Sequence, residues 1–563
     1  MRQAPDGRVW ISNSEFRSLH VVNPVAPYAE VRIPDPGVSS IYSIAFDHQG
    51  ALWINVLGEG IYRADPTQLG SGVKRMSDGF PAPFTSVDGL TSNHRAFLLV
   101  DRDGDIWAGT NAGLDRFRRG DVVPVSMSTL FSNFSLVAGK SGELWVGSTA
   151  TSPLLVTADV IAGRRLPTPV PDDIAGTIVA PESVSSVYVD PRGTAWWGDS
   201  YGGVWRQEGK HFERMAQRPS QLTHDHIWDI TQGGPDDRFW ISFGDEPIQK
   251  VDKGVLVPLD RPAGMLSRGA SASWHEGPGR TWMGHTENRV QHIVGSTVTS
   301  FGEADGLDIG RIRVIRGDGR LVWFGGELGL ALFDGTRFHH IAVQDAPPLQ
   351  TVSGLVAASN GDLWLAELSG IVRISADEVQ ALASNPTRAV RIRRFDHLDG
   401  LRGAVQMNWT SSVAVEADDH RLWFATDDGL AMIDPARLQP VSKAAPVVIR
   451  SLFANDVRYG ARSGINLPIG TRNVRLDFTA LSLAIPERAL YRYQLEGFEQ
   501  TWHTTSATNR IASYTRVPPG PYRFRIETAD GDGRFGEQSS TLDFVIEAAF
   551  WETRSFALMG SGP

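Results

Sequence analysis

Asp101-Arg102-Asp103-Gly104-Asp105-Ile106-Trp107-Ala108-Gly109-Thr110-Asn111-Ala112-Gly113-Leu114-Asp115-Arg116-Phe117 contains a whole structural unit in miniature. Asp101 to Asp105 is a tight turn, because Asp tolerates turn backbone and Gly takes positive φ at no steric cost. Ile106 to Thr110 follows as a strand, with successive side chains on opposite faces of a sheet. Asn111-Ala112-Gly113 turns the chain back, and Leu114 to Phe117 is a short return strand. One small sheet of this kind cannot bury its own apolar face, so it needs similar sheets stacked against it.

Such neighbours are present. The same pattern recurs around Trp10, Trp53, Trp145, Trp197, Trp240, Trp282, Trp323, Trp364 and Trp423. Most steps between these tryptophans are roughly 40 to 45 residues, the period of a four-stranded β-propeller blade. The repeated Trp is read as packing between blades, so truncating a buried copy to Ala is expected to cost about 3–5 kcal/mol. Propellers close with about four to eight blades, too few for one ring to hold every copy. The expected partition is therefore residues 1–135 as the last blades of a first propeller whose start is absent, and residues 136–440 as a complete seven-bladed ring running from the Trp145 copy to the Trp423 copy. The longest interval, Trp364 to Trp423, holds a predicted surface helix over Ser375 to Ala383, with Ser375 as its cap and Glu378 three residues on.

After Pro435 the repeat stops. Pro446-Val447-Val448-Ile449 starts a strand, Val474 to Phe478 alternates, and Tyr491 to Phe498 follows, then Trp502 and Tyr514. Val517-Pro518-Pro519-Gly520-Pro521-Tyr522 turns into Arg523 to Thr528, and Asp530-Gly531-Asp532-Gly533 turns before Leu542 to Ile546. Short strands punctuated by turns over about 100 residues predict an immunoglobulin-like sandwich across 441–550. The fold class expected for the chain is thus all-β: propeller repeats followed by a sandwich.

Composition fits and also excludes. Gly 58, Pro 33 and Trp 17 suit a turn-rich β protein, and a formal net charge of −10 argues against a nucleic-acid partner, which would need a basic stripe. With Cys 0 there are no disulfides, thiol nucleophiles or thiolate metal sites. No run of about 18 apolar residues is present, and Met1 to Gly7 leads into a turn without an apolar signal segment. There is no P-loop, no G-x-S-x-G elbow and no kinase catalytic motif. His224-Asp225-His226 invites a metal but shows no third ligand. Asp101 to Asp105 and Asp530 to Gly533 lack the terminal Glu of a calcium loop, and hairpin turns explain both. No catalytic residue, metal ligand or cofactor is assigned.

These residues resemble a family. The blades are similar to the two-component regulator propeller repeat, a D-x-x-G turn, then L-W-I-G-T, then G-L. Asp88-Gly89-Leu90, Asp305-Gly306-Leu307 and Asp399-Gly400-Leu401 match the D-G-L that precedes many of its blades. Tyr493 to Phe498, Trp502, Tyr514 and Pro518 to Tyr522 resemble the three-tyrosine (Y_Y_Y) domain that follows those propellers. Phe550-Trp551-Glu552-Thr553 resembles its end, which lies just outside a membrane helix, so 551–563 is expected to be a juxtamembrane-like segment. The sequence departs from the repeat where Asn55 replaces the usual Gly, and where the Trp240 and Trp282 copies lack the G-L return; those blades are expected to diverge in shape.

The resemblance implies the periplasmic part of an inner-membrane sensor histidine kinase, cut at both ends, whose membrane helix and kinase lie outside this chain. It implies a homodimer through the sandwich, with Tyr493, Trp502, Tyr514, Tyr522 and Trp551 in structural or relay roles. Two other classes stay open: a secreted propeller enzyme acting on a polysaccharide, and a protein-interaction propeller. Ligands of propellers meet the face built by the loops that lead into the innermost strands and the loops that follow the second strands. The polar and aromatic residues there are Asn93, His94, Arg95, His224, Asp225, His226, Trp228, Arg311, Arg313, Asn408 and Trp409, with Trp274 and His275 nearby. Rings beside Arg and Asn suit a small polar ligand, an oligosaccharide being one candidate.

Overall fold

The computed structural model describes residues 1–13, 18–22, 30–34, 40–64, 83–102, 104–127, 133–161, 180–218, 226–244, 246–317, 321–344, 346–407, 412–439, 443–481, 485–531 and 533–550. They form two compact units, Met1–Arg119 with Leu481–Arg488, and Gly120–Ala480 with Ala489–Pro563.

The first unit contains three blade-like antiparallel sheets. They comprise Arg2–Gln3, Val9–Asn13, Ser18–Val22 and Glu30–Pro34; then Ile41–Phe46, Leu52–Val56 and Gly60–Ala64; then Ala96–Val100, Ile106–Thr110 and Leu114–Phe117. Asn55, the departure from Gly, is fully buried. Its amide donates to the carbonyls of Gly60 and His94, each at 3.1 Å, and its Oδ1 accepts from Ala96 N–H at 2.9 Å. The substitution therefore ties the second sheet to the third.

The second unit begins with a seven-bladed ring. Blade 1 is Ser135–Ala138, Leu144–Ser148 and Thr151–Val156; blade 2 is Val184–Val189, Ala195–Asp199, Gly203–Glu208 and His211–Gln217. Blade 3 is Asp229–Gly233, Arg238–Ser242, Gln249–Asp252 and Val255–Pro258; blade 4 is Ala272–Gly277, Arg280–Gly284, Val290–Val294 and Thr297–Phe301. Blade 5 is Ile312–Gly317, Val322–Gly326, Gly329–Phe333 and Phe338–His340; blade 6 is Val352–Ala357, Leu363–Glu367, Gly370–Ile374 and Arg393–Phe395. The Trp240 and Trp282 copies, blades 3 and 4, keep four antiparallel strands each despite lacking the G-L return, but blade 3 departs from the others in that its outermost strand also pairs in parallel with that of blade 2, Val255 opposite Gln217.

Blade 7 corrects the partition. Ala414–Glu416, Leu422–Thr426 and Gly429–Ile433 supply three of its strands, and the fourth is Val122–Ser126, antiparallel to Gly429–Ile433 with Val122 opposite Ile433. The ring therefore starts at Gly120 rather than at residue 136, because its outermost strand comes from the segment before the first blade. Buried Asp121 fixes the junction: it accepts from Arg393 at 2.5 Å and from Gln439 N–H at 2.7 Å. Serines on or just before the inner strands clasp neighbouring blades by donating to backbone carbonyls. Ser185 reaches Ile227, Ser271 reaches Ile312, Ser353 reaches Gln406 and Ser412 reaches Leu136, at 2.6–3.0 Å.

Each D-G-L triplet forms one turn of 3₁₀ helix. The Asp carboxylate accepts the N–H of the residue three before it, at 2.9–3.0 Å, and Gly takes left-handed backbone. At Gly306 (φ 88°) a Cβ would also sit 2.4 Å from the Phe338 carbonyl, so glycine is needed for conformation and for space.

The repeated Trp does more than pack. Its indole N–H donates to the acid of its own turn, six residues earlier: Trp53 to Asp47, Trp107 to Asp101, Trp196 to Asp190 and Trp282 to Glu276, at 2.8–3.2 Å. The repeat position in the AWWGD copy is therefore Trp196, while Trp197, fully buried beside it, donates to Gln207. Where the turn position is Ala, at Ala4, Ala358 and Ala417, the indoles of Trp10, Trp364 and Trp423 have no protein acceptor among the described residues.

The predicted helix forms over Ala376–Ser384, but Ser375 makes no side-chain cap; Glu378 binds Arg388 and Arg391 instead, and Asp362 accepts Ala376 N–H. The sandwich has a four-stranded sheet (Val457–Gly460, Val447–Ala454, Val474–Ala480, Ile511–Tyr514) and a five-stranded sheet (Ile465–Leu467, Phe535–Ile546, Gly520–Ala529, Leu490–Glu496, His503–Ser506). Leu452, Leu476, Phe478, Tyr491, Leu495, Phe524 and Leu542 pack between them.

Asp190 is the test of the turn clasp, since its Oδ1 accepts from Arg192 N–H and Thr194 N–H, both at 2.9 Å, and its Oδ2 from Trp196 at 3.1 Å. Asp190→Ala is expected to lower unfolding free energy by about 1–3 kcal/mol, and Asp190→Asn by less, because Asn keeps one acceptor. Chemical denaturation of the two variants checks the order.

Candidate functional site

The loops leading into the inner strands define one face of each blade, and the sequence candidates sit along it. In the first unit, Asn93 accepts Ser86 N–H at 2.6 Å and donates to the Ser86 hydroxyl at 3.3 Å. His94 is exposed, and Arg95 lies over the Tyr42 ring at 5.3 Å. These three belong to a different compact unit from the other candidates and are not joined with them into one site.

In the second unit, Trp228 stands just before the inner strand of blade 3. Its N–H donates to the Ser242 carbonyl at 2.8 Å, and its half-buried indole lies over Gly244. His226 beside it is exposed, while His224, Asp225, Asn408, Trp409 and Trp551 lie outside the described residues. Arg311 and Arg313 flank the start of blade 5's inner strand. Arg313 donates to the Met407 carbonyl at 2.8 Å and to Glu327 at 3.1 Å, which ties blade 5 to the loop leading into blade 7. Trp274 does not share this face. Its ring packs over Gly317, where a Cβ would meet it at 2.5 Å, and it joins the core between blades 4 and 5. His275 is also turned inward, its Nδ1 3.2 Å from the Gln232 carbonyl.

Two features of the ring escaped the sequence reading. Gln406 is buried and knits blades together: its Oε1 accepts Phe134 N–H at 3.0 Å, and its own N–H donates to Ala425 at 2.9 Å. Nothing in its local sequence distinguishes it. The second is a polar cluster of the inner strands of blades 3, 4 and 5. Asp229 is buried, accepts from the Ser273 hydroxyl and feels the positive charge of Arg316. Burial pushes the Asp229 carboxyl up to about 7, against the opposing pull of Ser273 and Arg316. Burial likewise lowers the Arg316 guanidinium, against the pull of Asp229. Trp228 adjoins Asp229 in sequence, and Arg311, Arg313 and Arg316 share blade 5, so aromatic, acidic and cationic groups come from the inner strands of the same three blades. Such a set can hold a polar molecule by stacking and hydrogen bonding. Among the described residues no group of three His, Asp or Glu side chains could hold a metal ion.

In the sandwich, Tyr514 donates to Glu499 at 2.9 Å and Tyr522 to the Pro518 carbonyl at 2.7 Å, both rings being buried. Burial first, and Glu499 second, raise the Tyr514 hydroxyl above its usual range. Tyr493 is half-buried against Phe478, and Tyr491, which the sequence reading did not single out, is buried with its hydroxyl accepting Ala480 N–H at 3.0 Å. Trp502 carries Arg492 on its ring at 4.7 Å.

Residues 482–547 match the Y_Y_Y domain family. Histidine kinase P4 of Formosa agariphila is 20% identical over 241 residues, which are 40% of this chain and 16% of that protein. The chain therefore matches only a small part of this curated relative's length. The extracellular domain assigned to the hybrid two-component system BT3049 of B. thetaiotaomicron has the same fold, with a TM-score of 0.70 at 17% identity over 97% of this chain and 72% of that one. A second extracellular domain from that organism, assigned to the one-component system BT4673, superposes only loosely, with a TM-score of 0.43 at 15% identity over 97% of this chain and 80% of the other. A propeller ring followed directly by a sandwich that matches the Y_Y_Y family is thus what the chain shares with these proteins. Among the described residues no helix is long and apolar enough to cross a membrane.

The Asp229 environment sets a pH dependence. A carboxyl whose folded pKa lies near 7 rather than 3.8 binds its proton more tightly folded than unfolded. Its contribution favours folding below about pH 4 and is lost as pH rises towards 7, by at most about 1.4 kcal/mol per pH unit. Asp229→Asn removes this slope, so the variant should gain stability relative to wild type between pH 4 and 8. Denaturation at a series of pH values checks it; a constant difference would contradict the assigned environment.

Proposed function

We propose that this chain is the extracytoplasmic ligand-sensing region of a bacterial two-component receptor, acting by binding rather than by catalysis. The observation that carries the reading is the order of domains: a closed propeller joined directly to a Y_Y_Y sandwich. In this reading the ligand is a small polar molecule, with an oligosaccharide as the leading class, held at the inner-strand face of blades 3 to 5 around Trp228 and Arg311. The sandwich pairs with that of a second chain and passes the signal to a membrane helix and kinase, with the chain lying in the periplasm. A ligand shifts such a receptor only by binding one state more tightly than another.

Purified protein screened against neutral and acidic oligosaccharides tests the reading. A true ligand at about 100 times its Kd should stabilise the fold by about 2.7 kcal/mol, seen as a higher melting temperature. Chromatography of the same mixtures should show the oligosaccharide unchanged, and its conversion to products would replace the sensor reading with the polysaccharide-enzyme one. Trp228→Ala should weaken the response; an undiminished response would move the site elsewhere.

A further inference from the structure

Blade 6 and the sandwich lie in one compact unit and together line a cleft of about 330 Å³ formed by Gln344, Arg391, Arg492, Gly533, Arg534 and Phe535. On the ring side, Glu378 of the helix holds two guanidiniums, Arg388 at 2.8 Å and Arg391 at 2.5 Å. On the sandwich side, Glu527 likewise holds two, Arg492 at 2.6 Å and Arg525 at 2.7 Å. Both carboxylates are buried, with Glu378 at 6% exposure and Glu527 at 0%, whereas the guanidiniums in front of them are about one-third exposed (Arg391 38%, Arg492 32%). Each cluster therefore presents its positive side to the cleft.

Arg534 adds a further cation at the hairpin tip, where Asp530 is occupied with the turn, accepting Arg534 N–H at 2.8 Å. Arg391, Arg492 and Arg534 line the cleft, with Arg388 and Arg525 beside them, and among the described residues the carboxylates bonded to this group are Glu378, Glu527 and Asp530, in a chain whose overall balance is −10. Like charges brought to one cleft from two domains repel, and an anion between them relieves that cost. Arg492 is moreover held rigid: its guanidinium lies between the rings of Trp502 at 4.7 Å and Phe535 at 4.8 Å while Glu527 fixes one edge. Among the described residues Glu527 is the acceptor of Arg492's guanidinium, which carries five N–H donors in all. Two internally neutral structural ion pairs would have one guanidinium per carboxylate and no reason to converge.

We propose that this cleft binds a small oxyanion-bearing molecule, a carboxylate or sulfate, gripped from the ring by Arg391 and from the sandwich by Arg492 and Arg534, so that its binding fastens blade 6 to the sandwich. The site is separate from the inner-strand face and stands independently of the sensor reading. Charge-assisted contacts of this kind are short, and their exposed fraction weakens with salt.

Inorganic sulfate and glucuronate are the probes, titrated calorimetrically into the full chain at fixed ionic strength, with glucose as the neutral control. Saturable binding of at least one anion and none of glucose is expected, and Arg534→Glu should weaken it by about tenfold or more while Arg534→Lys largely retains it. Arg534 is exposed at a hairpin tip, so both variants should keep the wild-type melting temperature without ligand. No saturable binding of either anion, or equal affinity in wild type and Arg534→Glu, would overturn the site.

Discussion

Everything in the ring depends on closing it. A blade has two faces and can satisfy neither alone, so seven blades are stable only if the last meets the first without leaving an open sheet edge. Here the last blade takes its outermost strand, Val122–Ser126, from the chain segment that precedes the first blade, while Ser412 and Leu136 exchange hydrogen bonds across the seam at the inner strands. This pairs residues at opposite ends of the ring's sequence. It is costly in loop entropy while folding and, once made, locks both ends at once. Asp121, gripping Arg393 and Gln439 beside that strand, fixes the path on to the sandwich.

Most of this fold was legible, and the failures have physical causes. The Trp copies gave the blade count because each blade is a local hairpin stack, and local patterns survive in sequence. The start of the ring was misplaced because closure is non-local: Val122–Ser126 reads as an ordinary strand after blade-like turns and carries no mark of its partner Gly429–Ile433. The copy at AWWGD was assigned to Trp197, but chemistry selects Trp196, which reaches its turn acid. Once seen, that rule is itself local. The turn residue six before each Trp separates the clasped indoles of Trp53, Trp107, Trp196 and Trp282 from those of Trp10, Trp364 and Trp423, which face Ala. Ser375 illustrates the opposite error: it holds the N-cap position, but its hydroxyl accepts no helix N–H, while the distant Asp362 carboxylate accepts Ala376 N–H.

The site was far less legible than the fold. Sequence position correctly put Trp228, Arg311 and Arg313 at the starts of inner strands, but could not tell a free side chain from one already committed. Arg313 is bound to Met407 and Glu327, and Trp274 fills the space left by Gly317. Asp229 and Arg316 were missed because each is one charged residue in an otherwise ordinary strand, and only the curvature of the ring makes them neighbours of a kind. The arginine cleft is less visible still, since its groups come from an outer blade loop, a helix neighbour and two sandwich strands.

The central claim is that Val122–Ser126 is an integral strand of the ring's last blade. Hydrogen exchange followed by mass spectrometry tests it directly, since strands that open only with the whole ring share its protection. Backbone amides of Val122–Ser126 are predicted to exchange as slowly as those of Gly429–Ile433, and to lose protection together with them as denaturant rises. Fast exchange across Val122–Ser126 in a ring whose other strands remain protected would contradict the account.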